Sequence, residues 1–466
     1  MILRIKILNS WCLALFHVKI LPTFLVFLIS ILIIFSIFQI LPDKEIFTPV
    51  EPAKKLYFPT LKNENFEIQL VQTGLNFPTK MTFVDEETIL VAQKQDGKVV
   101  VIKNFELQTE PALDLNIESG WERGFTGLTS IKSQNQTFVF AYFTESVTDG
   151  DTYVPRGIED GNENNGNKLV RYEWDGKSLI DPILILHPIP YSNPIYHGGA
   201  MTNVGEHLFL IVGDNNDKNN FLINGSEEKF YDRGVIFRIN LDGEAISSNP
   251  FDDVKLLKYY SYGIRNGYGL AVDPITNQVW DTENGPSDFD EVNLVFPGFN
   301  SGWDKIMGPN GMGEFSSELS DLTSIEGSRY SEPEFSWKYT IGVTAMDFLK
   351  SQAYGNDYHN DLFIGDARGT LYHFELNENR DGFVFSDPVL SDLVSDVKVE
   401  AESIIFGENF GIITDITTGP DGYLYITSMV QSDVFLGYDK WAKNIKNPNI
   451  EELGAMLGVI FRLVPS

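Results

Sequence analysis

The sequence predicts an all-β fold, a six-bladed β-propeller, preceded by one N-terminal transmembrane helix. Three observations predict it. A strand–turn–strand unit recurs six times between residues 66 and 466. Beyond residue 65 almost no run carries a helical apolar period. The first 41 residues hold an uncharged apolar stretch long enough to cross a bilayer.

That stretch, residues 20–41, runs for 22 residues without a charge, against the roughly 20 that a spanning helix needs. Arg4, Lys6 and Lys19 precede it and Asp43 follows it. The positive-inside rule then puts a basic segment, 1–19, in the cytoplasm and the bulk of the chain outside. No small-residue cleavage site follows the run, so the expectation is an uncleaved single-pass anchor with an extracytoplasmic body. Two Asn-x-Ser/Thr sequons, at Asn135 and Asn224, are compatible with that location. Residues 42–65, with Pro42, Pro49, Pro52 and Pro59, read as a linker, and 66–466 as the propeller.

Apolar residues make up 43% of the 466, which places the chain among globular proteins. The formal charge is -30. Such a field repels nucleic acid and anionic lipid and favours cations. Solubility in a salty medium is the simpler account of it. The one cysteine, Cys12, precedes the apolar run. No intramolecular disulfide is possible, so packing, with or without a metal, must hold the fold.

The repeat is an apolar strand, a polar turn and a second strand that often opens with Gly. Its copies pair residues 88–92 with 98–102, 138–142 with 168–172, 208–212 with 234–239, 278–282 with 291–295, 362–366 with 369–372, and 424–427 with 458–463. A further strand-like run lies upstream of each, as at 80–83 and 268–272. Six such units are the arithmetic of a six-bladed ring with a central channel and site-building loops at one end. Residues 66–71 are placed to close the ring by joining the last unit. Two stacked β domains are the alternative, which the regular recurrence disfavours.

The segment richest in chemistry spans residues 262–303. Asn284-Gly285-Pro286 is a tight turn that can aim main-chain carbonyls outward, and Asp288, Asp290 and Glu291 add carboxylates close by. Hard oxygen donors at this density suit Ca²⁺, which takes about 6–8 of them. An acidic turn that is merely solvated is the competing account. His197 sits in a polar loop before a strand, ahead of Gly198-Gly199. A neutral imidazole with a pKa near 6.5 is a suitable base at neutral pH, although loop histidines are more often structural.

These residues carry a family resemblance. G-x-R-N at 263–266, E-N-G-P at 283–286, D-E-x-N at 290–293 and G-x-N-x-G-W at 298–303 resemble the signature of the glucose/sorbosone dehydrogenases, the soluble quinoprotein sugar and aldose dehydrogenases. Shorter matches at 74–78, 122–128, 197–199, 212–214, 238–243 and 419–425 extend the likeness across residues 66–465. The resemblance implies a six-bladed propeller carrying pyrroloquinoline quinone (PQQ) on a Ca²⁺. It implies that His197 takes the proton from a sugar C1 hydroxyl while a hydride passes to the quinone. By the same likeness, Arg265 is catalytic and contacts the quinone, as do Asn266, Glu122 at the rim and Arg368 in the place of a lysine. The likeness also implies that Gly285 and Pro286 hold the calcium through their carbonyls, with Asp290 and Glu291 serving that ion indirectly, holding a second one, or binding none.

The sequence departs from the family pattern at three points. His197 abuts Gly198, where the family spacing is longer. Arg368 replaces the lysine with one residue missing beside it. Ile412 and Thr414 stand where two arginines neutralise PQQ carboxylates, with Lys218, Arg233 and Arg238 as candidate substitutes. Each lost charge-assisted hydrogen bond costs about 1.5–3 kcal/mol. Two functions follow. One is a membrane-anchored, PQQ- and Ca²⁺-dependent oxidoreductase that turns an aldose into its lactone and passes electrons to an acceptor the sequence does not name. The other is a non-catalytic, calcium-stabilised propeller that binds glycan or protein at the cell surface. A calcium-dependent lactonase on the same architecture is a third.

Overall fold

The computed structural model describes residues 58–148, 150–153, 164–189, 193–216, 220–225, 231–431 and 456–466. Within them the chain is an all-β propeller whose strands form six sheets. The helical segments among the described residues are four short 3-10 turns.

The body of each sheet is antiparallel, with short parallel additions at the edges of the third and fourth. The first runs through Pro78–Phe83, Thr88–Gln93 and Lys98–Lys103, and the second through Phe125–Ser133, Gln136–Ser146, Asn164–Trp174 and Leu179–Ile189. The third has Gly198–Val204, His207–Val212, Val235–Ile239 and Tyr259–Tyr262; the fourth has Gly267–Val272, Val279–Glu283, Asp288–Val295 and Phe335–Tyr339. The fifth has Val343–Phe348, Leu362–Asp366, Leu371–Leu376 and Ile405–Glu408. The hairpins recognised by their period are the second and third strands of these sheets. The run upstream of each is the innermost strand. Successive innermost strands pack on one another, and Ile412–Thr418 of the last sheet returns to Pro78–Phe83 of the first.

The expectation of six equivalent units needs one correction. Five sheets take the strands named above from one stretch of chain, the fifth adding only Thr60–Leu61 at its edge, so the blades built from one stretch number five. The sixth sheet is composite: Ile412–Thr418, Leu424–Gln431 and Met456–Pro465 are completed by Phe66–Leu75 from the other end of the chain. This is the closure expected of residues 66–71, and it removes two free edges at once.

Membrane placement is corrected as well. No helix among the described residues is long and apolar enough to cross a membrane, and the single-pass localisation does not stand on that finding. Apolar residues here lie in strands of at most 11 residues, sealed between neighbouring sheets. The run 20–41 lies outside the described residues. The Asn224 sequon is also buried: its Nδ2 donates to Trp303 O at 2.7 Å and to Asn300 Oδ1 at 3.1 Å.

One feature of the ring shapes the site. In every sheet the pairing of the innermost strand with the next slips near its first residues, between Pro78 and Lys80, Phe125 and Gly127, Gly198 and Met201, Gly267 and Gly269, Val343 and Ala345, and Ile413 and Asp415. A bulge re-aims the extra residue and bends the strand. The residues so displaced include Thr79, Thr126, Tyr268, Thr344 and Thr414. Thr79 Oγ1 donates to Phe125 O at 2.7 Å in the next sheet, and Tyr268 reaches Glu122. Bulges at the same end of every blade therefore turn side chains towards that end of the channel.

Candidate functional site

The loops entering the innermost strands meet the hairpin turns of the outer strands at this end. Gly213 N donates to His197 O, Asp214 N to Arg265 O, Asn284 N to Asn266 O and Ala367 N to Gly342 O, at 2.8 to 3.3 Å. The segments holding Glu122, His197, Arg265, Asn266, Gly285 and Arg368 therefore share one face. Tyr196 has φ 61°, Gly198 65° and Gly199 112°. A side chain on Gly199 would place Cβ 2.5 Å from Thr126 Oγ1. The two glycines let the chain turn tightly enough to bring His197 inside.

His197 is fully buried. Its Nε2 lies 2.6 Å from Asn193 O and its Nδ1 2.9 Å from Asn167 Nδ2. Burial pushes the imidazole down to about 3, against the pull of the Asn193 carbonyl. It is neutral at pH 7. Asn193 is itself clasped by Asn215, with Asn193 N on Asn215 Oδ1 at 2.9 Å and Asn215 Nδ2 on Asn193 O at 3.1 Å.

Glu122 joins three loops. Its Oε2 accepts from Tyr196 N at 2.7 Å, Tyr268 OH at 2.6 Å and Asn266 Nδ2 at 3.2 Å. Asn266 Oδ1 takes Gly198 N at 3.3 Å. Arg265 lies over the Tyr196 ring at 4.2 Å and the Trp303 ring at 5.2 Å, and its guanidinium donates to Asn284 O. Lys94, buried nearby, donates to Ser119 O at 3.0 Å. Burial pushes its ammonium down from 10.5 to about 8, while Glu122 and Glu118 act the other way. Between those values the unfolded chain holds a proton the folded chain has released, so stability rises with pH across that window. Lys94→Met should remove this rise. Its stability difference from the parent, measured by urea unfolding, is expected to be largest at pH 7 and to narrow towards pH 10.5.

The acidic turn divides by role. Asp290 is buried, and its carboxylate accepts Gly285 N at 2.8 Å and Ile341 N and Gly342 N at 2.7 Å. Three main-chain donors make it the clasp of the turn, which leaves it a poor cation ligand. Glu291 is engaged too, its Oε1 accepting Gly308 N. It lies with Asp281 and Glu283 around one amide, Asn293 Nδ2, at 3.3, 3.1 and 3.4 Å. Burial, with mutual repulsion, raises the carboxyls of Asp281 and Glu291 well above their usual range, and burial pushes Glu283 up to about 7. Asp281 Oδ2 is buried without a hydrogen-bond partner. Among the described residues no group of three or more acidic, histidine or cysteine side chains is arranged to hold a metal. A calcium here would therefore rest chiefly on the Gly285 and Pro286 carbonyls beside Glu291. Main-chain carbonyls are hard oxygen donors of the type calcium takes, so the turn fits the ion in donor chemistry.

The quinone is a different matter. Ile412 and Thr414 bring no cation, and Thr414 Oγ1 is turned to Thr427 O at 3.2 Å. Arg368 is exposed with its guanidinium on Thr340 O, and Arg238 lies against His207 and the Phe209 and Tyr260 rings. Arg233 lies over Tyr231, and Lys218 falls outside the described residues. Lys80 reaches the channel but is held by Asp415 at 3.1 Å. As arranged, these residues do not fit a tricarboxylate.

Sequence reasoning missed Asn167, Asn193, Asn215, Lys80 and Asp415. Asn167 lies 30 positions from His197 and in another sheet. Only the Gly-rich, Asn-rich run around it hinted at a built loop.

Comparison with known proteins follows the geometry. A family model described as Glucose / Sorbosone dehydrogenase matches residues 75–434. The chain belongs to the glucose/sorbosone dehydrogenase family, a family of sugar oxidoreductases. It is 29% identical over 272 residues to the aldose sugar dehydrogenase YliI of Escherichia coli (strain K12), covering 58% of this chain and 67% of that protein. The crystal structure of the soluble aldose sugar dehydrogenase of Escherichia coli in its apo form superposes with a TM-score of 0.62 at 20% identity, over 86% of this chain and 100% of that one. The PQQ-bound aldose sugar dehydrogenase of Streptomyces coelicolor superposes with a TM-score of 0.56 at 18% identity, over 87% and 100%. These two likenesses speak to the fold alone.

Proposed function

We propose that the chain oxidises the C1 hydroxyl of an aldose to the lactone at the loop-bearing end of the ring. The observation that carries this reading is the convergence of a neutral, buried His197 with Glu122, Arg265 and Asn266 on one face. His197 is the candidate proton acceptor for the sugar hydroxyl, a role that requires the Asn193 carbonyl to leave Nε2 and the ring proton to sit on Nδ1. Arg265 and Asn266 bind and orient, and a calcium held by the Gly285 and Pro286 carbonyls would add positive potential. PQQ, the quinone bound in a relative, would accept the hydride, and Ile412 and Thr414 supply no cation for its carboxylates.

A second reading is a non-catalytic, calcium-stabilised propeller that binds a glycan or a protein. The capped imidazole and the uncharged positions Ile412 and Thr414 favour it. Titrating the full chain with Ca²⁺ and PQQ, then assaying aldose-dependent dye reduction, separates the two. Sugar oxidation predicts a shifted PQQ absorbance and dye reduction. The binding reading predicts neither, yet still predicts stabilisation by calcium, about 2.7 kcal/mol at a hundredfold excess over Kd. Absence of turnover with every aldose tried, at saturating calcium and quinone, would rule out the first reading.

A further inference from the structure

His197 has its two ring nitrogens in contact with groups of opposite character. A main-chain carbonyl can only accept, so the 2.6 Å contact with Asn193 O requires a proton on Nε2. A neutral ring then has a bare lone pair on Nδ1, which the Asn167 amide must face with its nitrogen, at 2.9 Å. The other half of that amide agrees. Asn167 Oδ1 accepts from Thr144 Oγ1 at 2.8 Å, and Nδ2 also reaches Tyr142 OH at 3.0 Å. All of these groups are buried.

We propose that Asn167 is a positioning residue that holds His197 in the tautomer with its proton on Nε2, so that the imidazole meets the site as a donor and not as a base. The consequence for turnover rests on the proposed sugar oxidation; the tautomer itself does not. A ring able to take a hydroxyl proton through Nε2 needs Nδ1 protonated and facing an acceptor. An amide nitrogen cannot accept, and turning the amide over would make Thr144 Oγ1, which already accepts Gly124 N at 3.4 Å, take a second N–H and lose the oxygen its own hydroxyl donates to. Aspartate at 167 would face three donors, the Tyr142 and Thr144 hydroxyls and Nδ1–H. Lys94, Arg123 and Arg233 supply positive potential around the ring. A carboxylate is therefore tolerable there.

The test is nitrogen-resolved NMR of the histidine rings in the full chain, with His197 assigned by its disappearance in His197→Gln. The expected parent spectrum has the proton on Nε2 and a bare Nδ1; a proton on Nδ1 would overturn the inference. This measurement needs no variant to fold beyond the one used for assignment. In Asn167→Asp the proton should move to Nδ1, and a ring that stays protonated on Nε2 would show that residue 167 does not set the tautomer. The same variant should raise kcat for aldose-dependent dye reduction on the order of 10²-fold, the lower range of general-base catalysis, with KM little changed. A moved proton with no gain in kcat supports the positioning role and counts against His197 as the base of the proposed reaction.

Discussion

Replacing Asp415 with alanine is expected to cost about 3–5 kcal/mol of folding stability, the range found when one partner of a buried ion pair is removed. Lys80 lies in the innermost strand of the first sheet and Asp415 in that of the last. Their charged atoms are 3.1 Å apart, and each side chain is only 10% exposed. Lys80 Nζ also donates to Tyr268 O at 3.1 Å in the fourth sheet and to Thr414 O at 3.4 Å. Asp415 Oδ2 accepts Met81 N at 2.9 Å. The pair thus ties the seam where the ring closes to a strand of the fourth sheet. Burial raises the Asp415 carboxyl, opposed by the Lys80 charge. Alanine would strand the ammonium in the channel and orphan Met81 N. Equilibrium urea unfolding checks this. The double variant Lys80→Met, Asp415→Leu should recover most of the loss, because an apolar pair carries no desolvation penalty. A single-variant cost below about 1 kcal/mol, the range of exposed pairs, would mean that the pair does not staple the ring.

The legible and illegible parts of this molecule differ in range. The hairpins were visible because each is a local alternation of apolar residues bounded by Gly, Asn and Asp, as at 88–102. Closure by Phe66–Leu75 could be guessed, since one strand was left over at the start of the ring and one was wanting at its end. The composite last sheet, and short parallel additions such as Val394–Ser395 beside Phe335–Tyr339, could not, because register between distant strands leaves no period. The site shows the same split. The motifs near 197, 265 and 285 lie on one face of the ring. Composition made Asp290 a ligand, whereas the fold folds the backbone around its carboxylate; a carboxylate that takes N–H groups and one that takes a cation look alike in sequence. Asn167 faces His197 across a sheet boundary, and the Gly- and Asn-rich run around it said nothing of that partner.

Glu122→Ala should lose about 3–5 kcal/mol and all turnover, and Glu122→Gln roughly 1–2 kcal/mol. One oxygen, Oε2, receives Tyr196 N, Tyr268 OH and Asn266 Nδ2, from the entry loops of the third and fourth sheets. Alanine leaves all three donors without that acceptor, each at about 1–3 kcal/mol if it stays dry, and less than additively because they share one atom. Glutamine with its carbonyl in the place of Oε2 keeps an acceptor for all three but withdraws the charge that strengthens each bond. The coupling to function is geometric. Tyr196 precedes His197, and Asn266 holds Gly198 N through its Oδ1, so Glu122 fixes the imidazole from both sides. Sub-ångström drift of a base is costly because proton transfer demands hydrogen-bond contact. Removing Glu122 also withdraws a charge that holds the Lys94 pKa up. The alanine variant should therefore depend more steeply on pH above 7 than the parent. Urea unfolding with dye-reduction assays on both variants is the check: equal stabilities for alanine and parent would show that the three donors find water, and that the loops around His197 are held by something other than this carboxylate.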